Sequence, residues 1–271
     1  MGSGLEATLP LTQSEVAALL LASALFWTLF IFVSFLRVPE RVAARSAKAR
    51  AKGGSATRAD MDAAVAEWAT RFASLGHCVV SLALAAYLTF LALGEAADEE
   101  GNPMRLGLPS ATVHTMTFSF SLAYFTIDLV IAIYYGLMDR PMIFHHLGAM
   151  LGLAYGCFAQ VSGRELLFAM ALLEVSNPFL HVRWMLRELD LKTTTVYKVN
   201  ELAFFAVFVL IRVGAGTWLW YYVVRSAAVD LFVKTSATAL WAVSCLWLLM
   251  ILRVFAAKYI MGKSHKGEKQ G

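Results

Sequence analysis

Charged residues are scarce in this sequence. Asp, Glu, Lys and Arg make up 15% of the 271 residues, whereas hydrophobic residues make up 59% and the mean hydropathy is +0.64. Soluble domains carry about 25% charged residues. The apolar residues also fall in long blocks separated by short polar loops, a pattern typical of helical membrane proteins with several spans. The composition therefore argues against a soluble all-helical protein.

Cysteine is scarce as well: Cys78, Cys157 and Cys245 are scattered, and each lies in an apolar stretch. Three scattered cysteines do not form a disulfide framework, so we expect free thiols. Basic residues follow the first apolar block instead of preceding it, which argues against a cleaved signal peptide. The net charge of +4 does not indicate nucleic-acid binding, because the basic residues flank hydrophobic stretches, where they determine orientation in the membrane.

Seven stretches approach or exceed the ~20 residues that a transmembrane helix needs. They are 14–36, 72–93, 112–138, 142–161, 164–187, 199–224 and 236–259. We therefore predict an all-α polytopic membrane protein with seven transmembrane helices. A Gly-Gly-Ser segment marks the one internal boundary. The predicted organisation is a transmembrane helix at 1–37, a basic cytosolic linker at 38–64, a six-helix unit at 65–260 and a basic cytosolic tail at 261–271.

Loop charges predict the orientation. Segment 37–52 holds six basic residues and one acid, whereas segment 94–103 holds four acids and no base. Because positive loops stay in the cytosol, we place the N-terminus and the acidic loop in the lumen and the C-terminus in the cytosol. Arg225 and Lys234 in the last luminal loop run mildly against this rule. The expected location is the endoplasmic reticulum or another endomembrane.

Ionisable residues within the spans are candidates for a functional site, because burying them in a bilayer is costly. The adjacent pair His145 and His146 is the most informative, since it lies one to two turns, roughly 6–8 Å, inside the fourth span. Asp128 and Glu174 lie deeper. Other polar groups fall in the cytosolic half of neighbouring spans: His77, His181, Arg183, Asn200 and Glu201. These depths predict one polar cavity that opens to the cytosol or to its leaflet.

These residues also have purely structural interpretations. The histidine pair could tie helices together, and Asp128 could form an inert ion pair with an arginine such as Arg212. Arg183 and Glu201 could extend to the interface. Pro178 is expected to kink the fifth helix and free carbonyl groups that need partners. No metal is expected, because adjacent histidines on a regular helix cannot easily reach one ion.

Three groups of residues carry a resemblance to a known family. They are WATRFASLGH at 68–77, AYFTID at 123–128 followed by Phe144-His145-His146, and EVSNPFLHVRW at 174–184 followed by YKVN at 197–200 and by Arg212. In order and spacing these resemble the motifs of TLC-domain proteins over about residues 65–260. The chain resembles the small TLC-domain transmembrane proteins more closely than the ceramide synthases of the same family.

The resemblance implies a six-helix barrel around a central cavity that holds a lipid chain. Ceramide synthases carry a His-Asp pair and a further Asp on the helix after the paired histidines, where this chain has Glu174 as the only nearby acid. If the chain is an enzyme, the expected catalytic residues are His145, His146, Asp128 and Glu174, with acyl-CoA as substrate, since acyl transfer needs a base. The expected lipid-binding residues are His77, Asn177, His181, Arg183, Asn200 and Arg212.

Lipid handling is the function that we predict. The protein would bind or handle acyl chains of membrane lipids and influence lipid composition, without a cofactor and without nucleic acid. A ceramide-synthase-like N-acyltransferase and a structural membrane subunit are the alternatives. A retinal receptor is disfavoured, because no lysine lies between Lys234 and Lys258 in the last span. Homo- or hetero-oligomers within the membrane are compatible with the sequence.

Overall fold

The structure, a computed structural model, describes residues 10–51, 55–92 and 106–256. Most of these residues are helical, and within them the only β pairing is an isolated bridge between Pro109 and Val161. The helices are α1 (Gln13–Leu36), α2 (Glu40–Arg50), α3 (Arg58–Ala92), α4 (Thr112–Tyr134), α5 (Arg140–Ala159), α6 (Gly163–Glu174), α7 (Asn177–Glu188), α8 (Thr195–Val207), a π-helical segment (Phe208–Ala215), α9 (Gly216–Arg225) and α10 (Leu231–Ala256). The predicted all-α class is confirmed.

Seven helical stretches in this part of the chain are long and apolar enough to cross a membrane. One of them combines α6 and α7, and another combines α8, the π-helical segment and α9. The prediction of a multi-pass membrane protein with seven spans is therefore confirmed. The barrel arrangement that the resemblance implies stays a prediction.

The predicted linker at 38–64 contains a helix, α2, and the second span begins at Arg58 instead of residue 72. The reason is packing between α2 and the start of α3. Ala43 and Ala47 of α2 are buried, and Arg50 Nη1 lies 3.0 Å from Glu67 Oε2 of α3. Small side chains allow the two helices to pack closely. This packing stabilises α2 as a helix, although the residues on its outer face are polar.

The bundle has two ends. The end with α2 and the α4–α5 and α7–α8 connections is called the α2 end here; in it, Arg45 of α2 is ion-paired with Asp190. At the opposite end, Gln160 exchanges two hydrogen bonds with the backbone of Leu11, at 2.9 and 2.6 Å. The acidic loop at 94–103 and the tail at 261–271 lie outside the described residues. The predicted orientation therefore stays a prediction.

An aromatic cluster joins α1 to the rest of the bundle. Trp27 of α1 is buried and donates from Nε1 to the Phe120 carbonyl of α4 at 3.1 Å. Its ring centroid lies 5.0 Å from that of Tyr124 and 5.7 Å from that of His77. The sequence predicts α1 as separate from the six-helix unit. In the structure α1 packs directly against α3 and α4, which carry polar site residues.

Gly156 marks the close approach of α5 to α4 and α6. A Cβ atom there would lie 2.7 Å from Cδ2 of the buried Phe118 ring and 3.0 Å from Leu166 Cδ1. We expect Gly156→Ala to lower the free energy of unfolding by about 1–3 kcal/mol, because overpacking displaces these side chains. Gly216→Ala is the matched control, since a Cβ there meets no atom within 4 Å. Equal unfolding midpoints for the two variants would contradict this packing argument.

Candidate functional site

A cavity of about 610 Å³ lies within the bundle, in the half nearer the α2 end. Side chains of α3 to α8, the π-helical segment and α10 line it. Its size is that of a pocket for a small molecule or part of a lipid. The predicted site residues that line it are Asp128, His145, His146, Glu174, Asn177, His181, Arg183 and Arg212.

His77 and Asn200 lie behind the cavity wall, so the prediction that they face the cavity is wrong. The buried His77 ring stacks on Tyr124 with centroids 4.1 Å apart, and its Nδ1 lies 3.8 Å from Glu174 Oε2. Asn200 Nδ2 donates to the Phe179 carbonyl at 2.9 Å and ties α8 to α7. Depth along a helix placed both residues at the right level, but depth alone does not indicate which face a side chain occupies.

His146 and Asp128 form a pair on the cavity wall. His146 Nε2 lies 3.3 Å from Asp128 Oδ2, and His146 Nδ1 lies 3.1 Å from the Met142 carbonyl oxygen. Because a carbonyl can only accept, Nδ1 carries a proton. Nε2 is then the ring nitrogen that faces the carboxyl group at the cavity. Asp128 is paired with a histidine and not with Arg212.

His145 has a different environment from its neighbour. Arg212 Nη2 lies 3.4 Å from His145 Nε2. A guanidinium group can only donate, so Nε2 accepts and His145 is neutral with its proton on Nδ1. The ring also lies against Trp247, with centroids 4.9 Å apart. The two adjacent histidines thus contact different partners, as their angle of about 100° on a helix requires.

Arg212 is buried, with 4% of its surface exposed, and holds three helical segments together. Nη1 donates to the Leu173 carbonyl at 2.8 Å and to Asn177 Oδ1 at 3.2 Å. Nε donates to Ser244 Oγ of α10 at 3.4 Å. The guanidinium group therefore connects α10 and the π-helical segment to the break between α6 and α7.

The break between α6 and α7 explains why the Leu173 carbonyl group is free to accept a hydrogen bond from Arg212. Leu173 lies in the last turn of α6, whose final carbonyl groups have no partner within their own helix. Pro178, in the first turn of α7, has no N–H with which to continue the ladder to the Glu174 carbonyl. The predicted kink is confirmed, and Arg212 supplies the partner for a freed carbonyl. Arg212 itself lies in the π-helical segment, a form often found at functional sites, which the sequence did not indicate.

Cys78 also lines the cavity, although the sequence did not indicate it as a site residue. Its thiol donates to Glu174 Oε2 at 2.9 Å, and Asn177 Nδ2 donates to the same oxygen at 3.2 Å. Cys78 directly follows the motif histidine His77, which was the available signal. Cys78, Cys157 and Cys245 are all free, as predicted.

Charged pairs line the cavity towards the α2 end. Arg71 Nη2 lies 2.9 Å from Glu67 Oε1, and Arg71 Nη1 lies 3.5 Å from His181 Nδ1. Arg183 Nη2 lies 3.0 Å from Glu201 Oε1. Arg183 of α7 and Glu201 of α8 therefore form an ion pair between the two helices. The alternative interpretation, in which each side chain only extends to the membrane interface, does not describe this pairing.

The cavity wall between α8 and α10 is apolar and is called the α8–α10 wall here. It consists of Phe204, Phe205, Phe208, Trp247, Met250, Ile251, Val254 and Phe255. Met250 and Val254 are 49% and 61% exposed. Phe205 and Phe255 stack across the wall with ring centroids 4.4 Å apart. The wall therefore combines large apolar side chains with a large exposed apolar surface.

Comparison with known proteins agrees with the motifs. The model of the TLC domain family matches residues 67–261, a range that contains the whole cavity lining. Over 149 residues the chain is 29% identical to TLC domain-containing protein 4 A of Dictyostelium discoideum, and the match covers 53% of this chain and 55% of that relative. That relative carries the name of a TLC domain-containing protein and not that of a ceramide synthase. The chain thus belongs to the TLC domain family.

Proposed function

We propose that this protein binds an acyl chain of a membrane lipid in the cavity and thereby influences membrane lipid composition. One observation carries the proposal: polar and charged side chains line one part of the cavity, and the apolar α8–α10 wall lines another. A molecule with a polar head and an apolar chain matches this division. The head would contact His146 and Asp128, and the chain would extend along the α8–α10 wall.

The α2 end is the end that we propose to face the cytosol. Within the described part of α2 and its flanks, Arg37, Arg41, Arg45, Lys48 and Arg50 are basic and Glu40 is acidic. Positive segments stay in the cytosol. Location in the endoplasmic reticulum and the absence of a cofactor, metal or nucleic-acid partner remain expectations of the sequence.

An N-acyltransferase that uses acyl-CoA is the second candidate, and the His146–Asp128 pair is the observation that favours it. A general base must accept a proton from the attacking amine, and a histidine next to a carboxyl group is suited to that role. The His-Asp pair of the synthases has no equivalent after Glu174, so lipid binding needs fewer assumptions. No contact in the described residues favours a purely structural subunit.

Linking Phe205 to Phe255 is expected to stop lipid exchange. We would replace both residues by cysteine in a Cys245→Ala background, join them with a short bifunctional maleimide and reconstitute the protein. Because the cross-link keeps α8 and α10 together, exchange of bound lipid with isotopically labelled phosphatidylcholine vesicles should slow by about ten-fold or more, corresponding to ~1.4 kcal/mol on the barrier. Mass spectrometry of co-purified lipid measures the exchange.

The matched control joins α10 to α9 instead. Trp220 and Trp241 stack with ring centroids 4.4 Å apart and do not line the large cavity. Cysteines at these positions, cross-linked in the same way, should leave exchange at the unlinked rate. Equal slowing by both cross-links, or purified protein without any acyl lipid, would overturn the proposed function.

A further inference from the structure

The thiol–carboxyl pair of Cys78 and Glu174 faces the cavity but has no part in lipid binding as proposed above. Cys78 Sγ donates to Glu174 Oε2 at 2.9 Å, and both residues line the cavity. A carboxylate that accepts the hydrogen bond of a thiol can accept its proton during nucleophilic attack. The pair therefore has the arrangement of a nucleophile with an adjacent base.

Two polar side chains that can donate hydrogen bonds follow Glu174 closely in the chain and line the same cavity. Ser176 is 0% exposed and lines the cavity, and within the described residues its hydroxyl has no hydrogen-bond partner. Asn177 Nδ2 is at 3.2 Å from Glu174 Oε2. Ser176 lies in the break between α6 and α7, and Asn177 begins α7. A buried hydroxyl group without a partner is costly, so a ligand oxygen next to it would be stabilised.

We propose that Cys78 is an acyl acceptor that takes the acyl group of a long-chain acyl thioester of the acyl-CoA class. The Cys78 sulfur attacks the thioester carbonyl while its proton moves to Glu174. The tetrahedral intermediate, with its oxyanion near Ser176 Oγ, then breaks its bond to the CoA sulfur. Glu174 returns the proton to that sulfur, so the products are S-acyl-Cys78 and free CoA thiol, and no oxidant or reductant is needed.

This inference rests on the proposed function in one respect: the cavity must accommodate an acyl chain. The α8–α10 wall would then hold the chain of the modified cysteine. Cys157 and Cys245 do not line the cavity, so they lack both this wall and an adjacent carboxyl group. The structure therefore predicts acylation at one of the three cysteines.

The test uses the full chain, reconstituted and incubated with palmitoyl-CoA. We expect intact-mass spectrometry to show one added acyl group, removable by neutral hydroxylamine as a thioester is, and peptide mapping to place it on Cys78. Cys78→Ser keeps a donor for Glu174 and should lose the modification. Glu174→Gln should slow acylation by about a hundred-fold, the size of a typical general-base contribution, while the unfolding midpoint shows that the variant is folded.

The variants Cys157→Ala and Cys245→Ala should be acylated at the unmodified rate. Acylation that maps to Cys245 only, or a Glu174→Gln rate equal to that of the parent, would overturn this inference. Co-purified acyl lipid without any Cys78 modification would also overturn it and leave the proposed lipid binding intact. Absence of both would overturn the two together.

Discussion

Replacing Arg212 by methionine is expected to lower the thermal unfolding midpoint by roughly 5–10 °C. The loss leaves the Leu173 carbonyl and Asn177 Oδ1 without their charged donor, and an unsatisfied buried acceptor costs about 1–3 kcal/mol. A total of ~3 kcal/mol corresponds to this range of midpoints for a protein of this size. A thermal-shift measurement in a fixed detergent checks it.

Two further variants sharpen the comparison. Arg212→Lys retains the charge but offers a compact ammonium group in place of the planar fork, so we expect an intermediate loss. Arg225→Met removes an exposed arginine whose guanidinium lies 5.3 Å from the Tyr221 ring centroid, and it should change the midpoint little. If Arg212→Met and Arg225→Met were equally stable, Arg212 would not be the connection between the helices that we describe.

Replacing His146 by glutamine is expected to remove most bound lipid without unfolding the protein. Glutamine can still donate to Asp128, but it lacks the two ring nitrogens with which His146 contacts the Met142 carbonyl and Asp128 at the same time. A hydrogen bond to a charged group is worth about 1.5–3 kcal/mol, so lipid occupancy should fall about ten-fold or more. Lipid content per folded molecule and the unfolding midpoint are to be measured on the same preparation.

His145→Gln is the matched variant one position earlier. His145 contacts Arg212 and Trp247, so its replacement should lower the midpoint by a few degrees and leave lipid occupancy largely unchanged. The opposite pattern, with His146→Gln destabilised and its lipid retained, would show that the pair with Asp128 only holds helices together.

The class of protein could be read from the sequence because the relevant signals are local. A helix that crosses a bilayer needs a continuous apolar stretch, so the number of spans follows from hydropathy without knowledge of packing. The family followed from motifs at 68–77, 123–128 and 174–184, whose order is a property of the chain alone. The kink at Pro178 was equally predictable, since proline removes a backbone donor wherever it lies.

Most of the predicted site residues do line the cavity, because residues at similar depth on neighbouring spans tend to meet. Helical depth cannot give the direction of a side chain, however, and His77 and Asn200 turned out to lie behind the wall. The orientation of each helix about its own axis depends on its neighbours. Trp27 and Tyr124 hold His77 in the packed interior, and Phe179 provides the partner for Asn200.

The pairings within the site were decided by the tertiary structure alone. Cys78 meets Glu174 because α3 packs against α6, and Arg212 meets His145 and Leu173 because the π-helical segment lies beside α5 and the α6–α7 break. None of these partners is within a few residues of the other in the chain. A hydrogen bond between distant helices depends on how the helices pack, and that packing results from many small contacts that no single stretch of sequence contains.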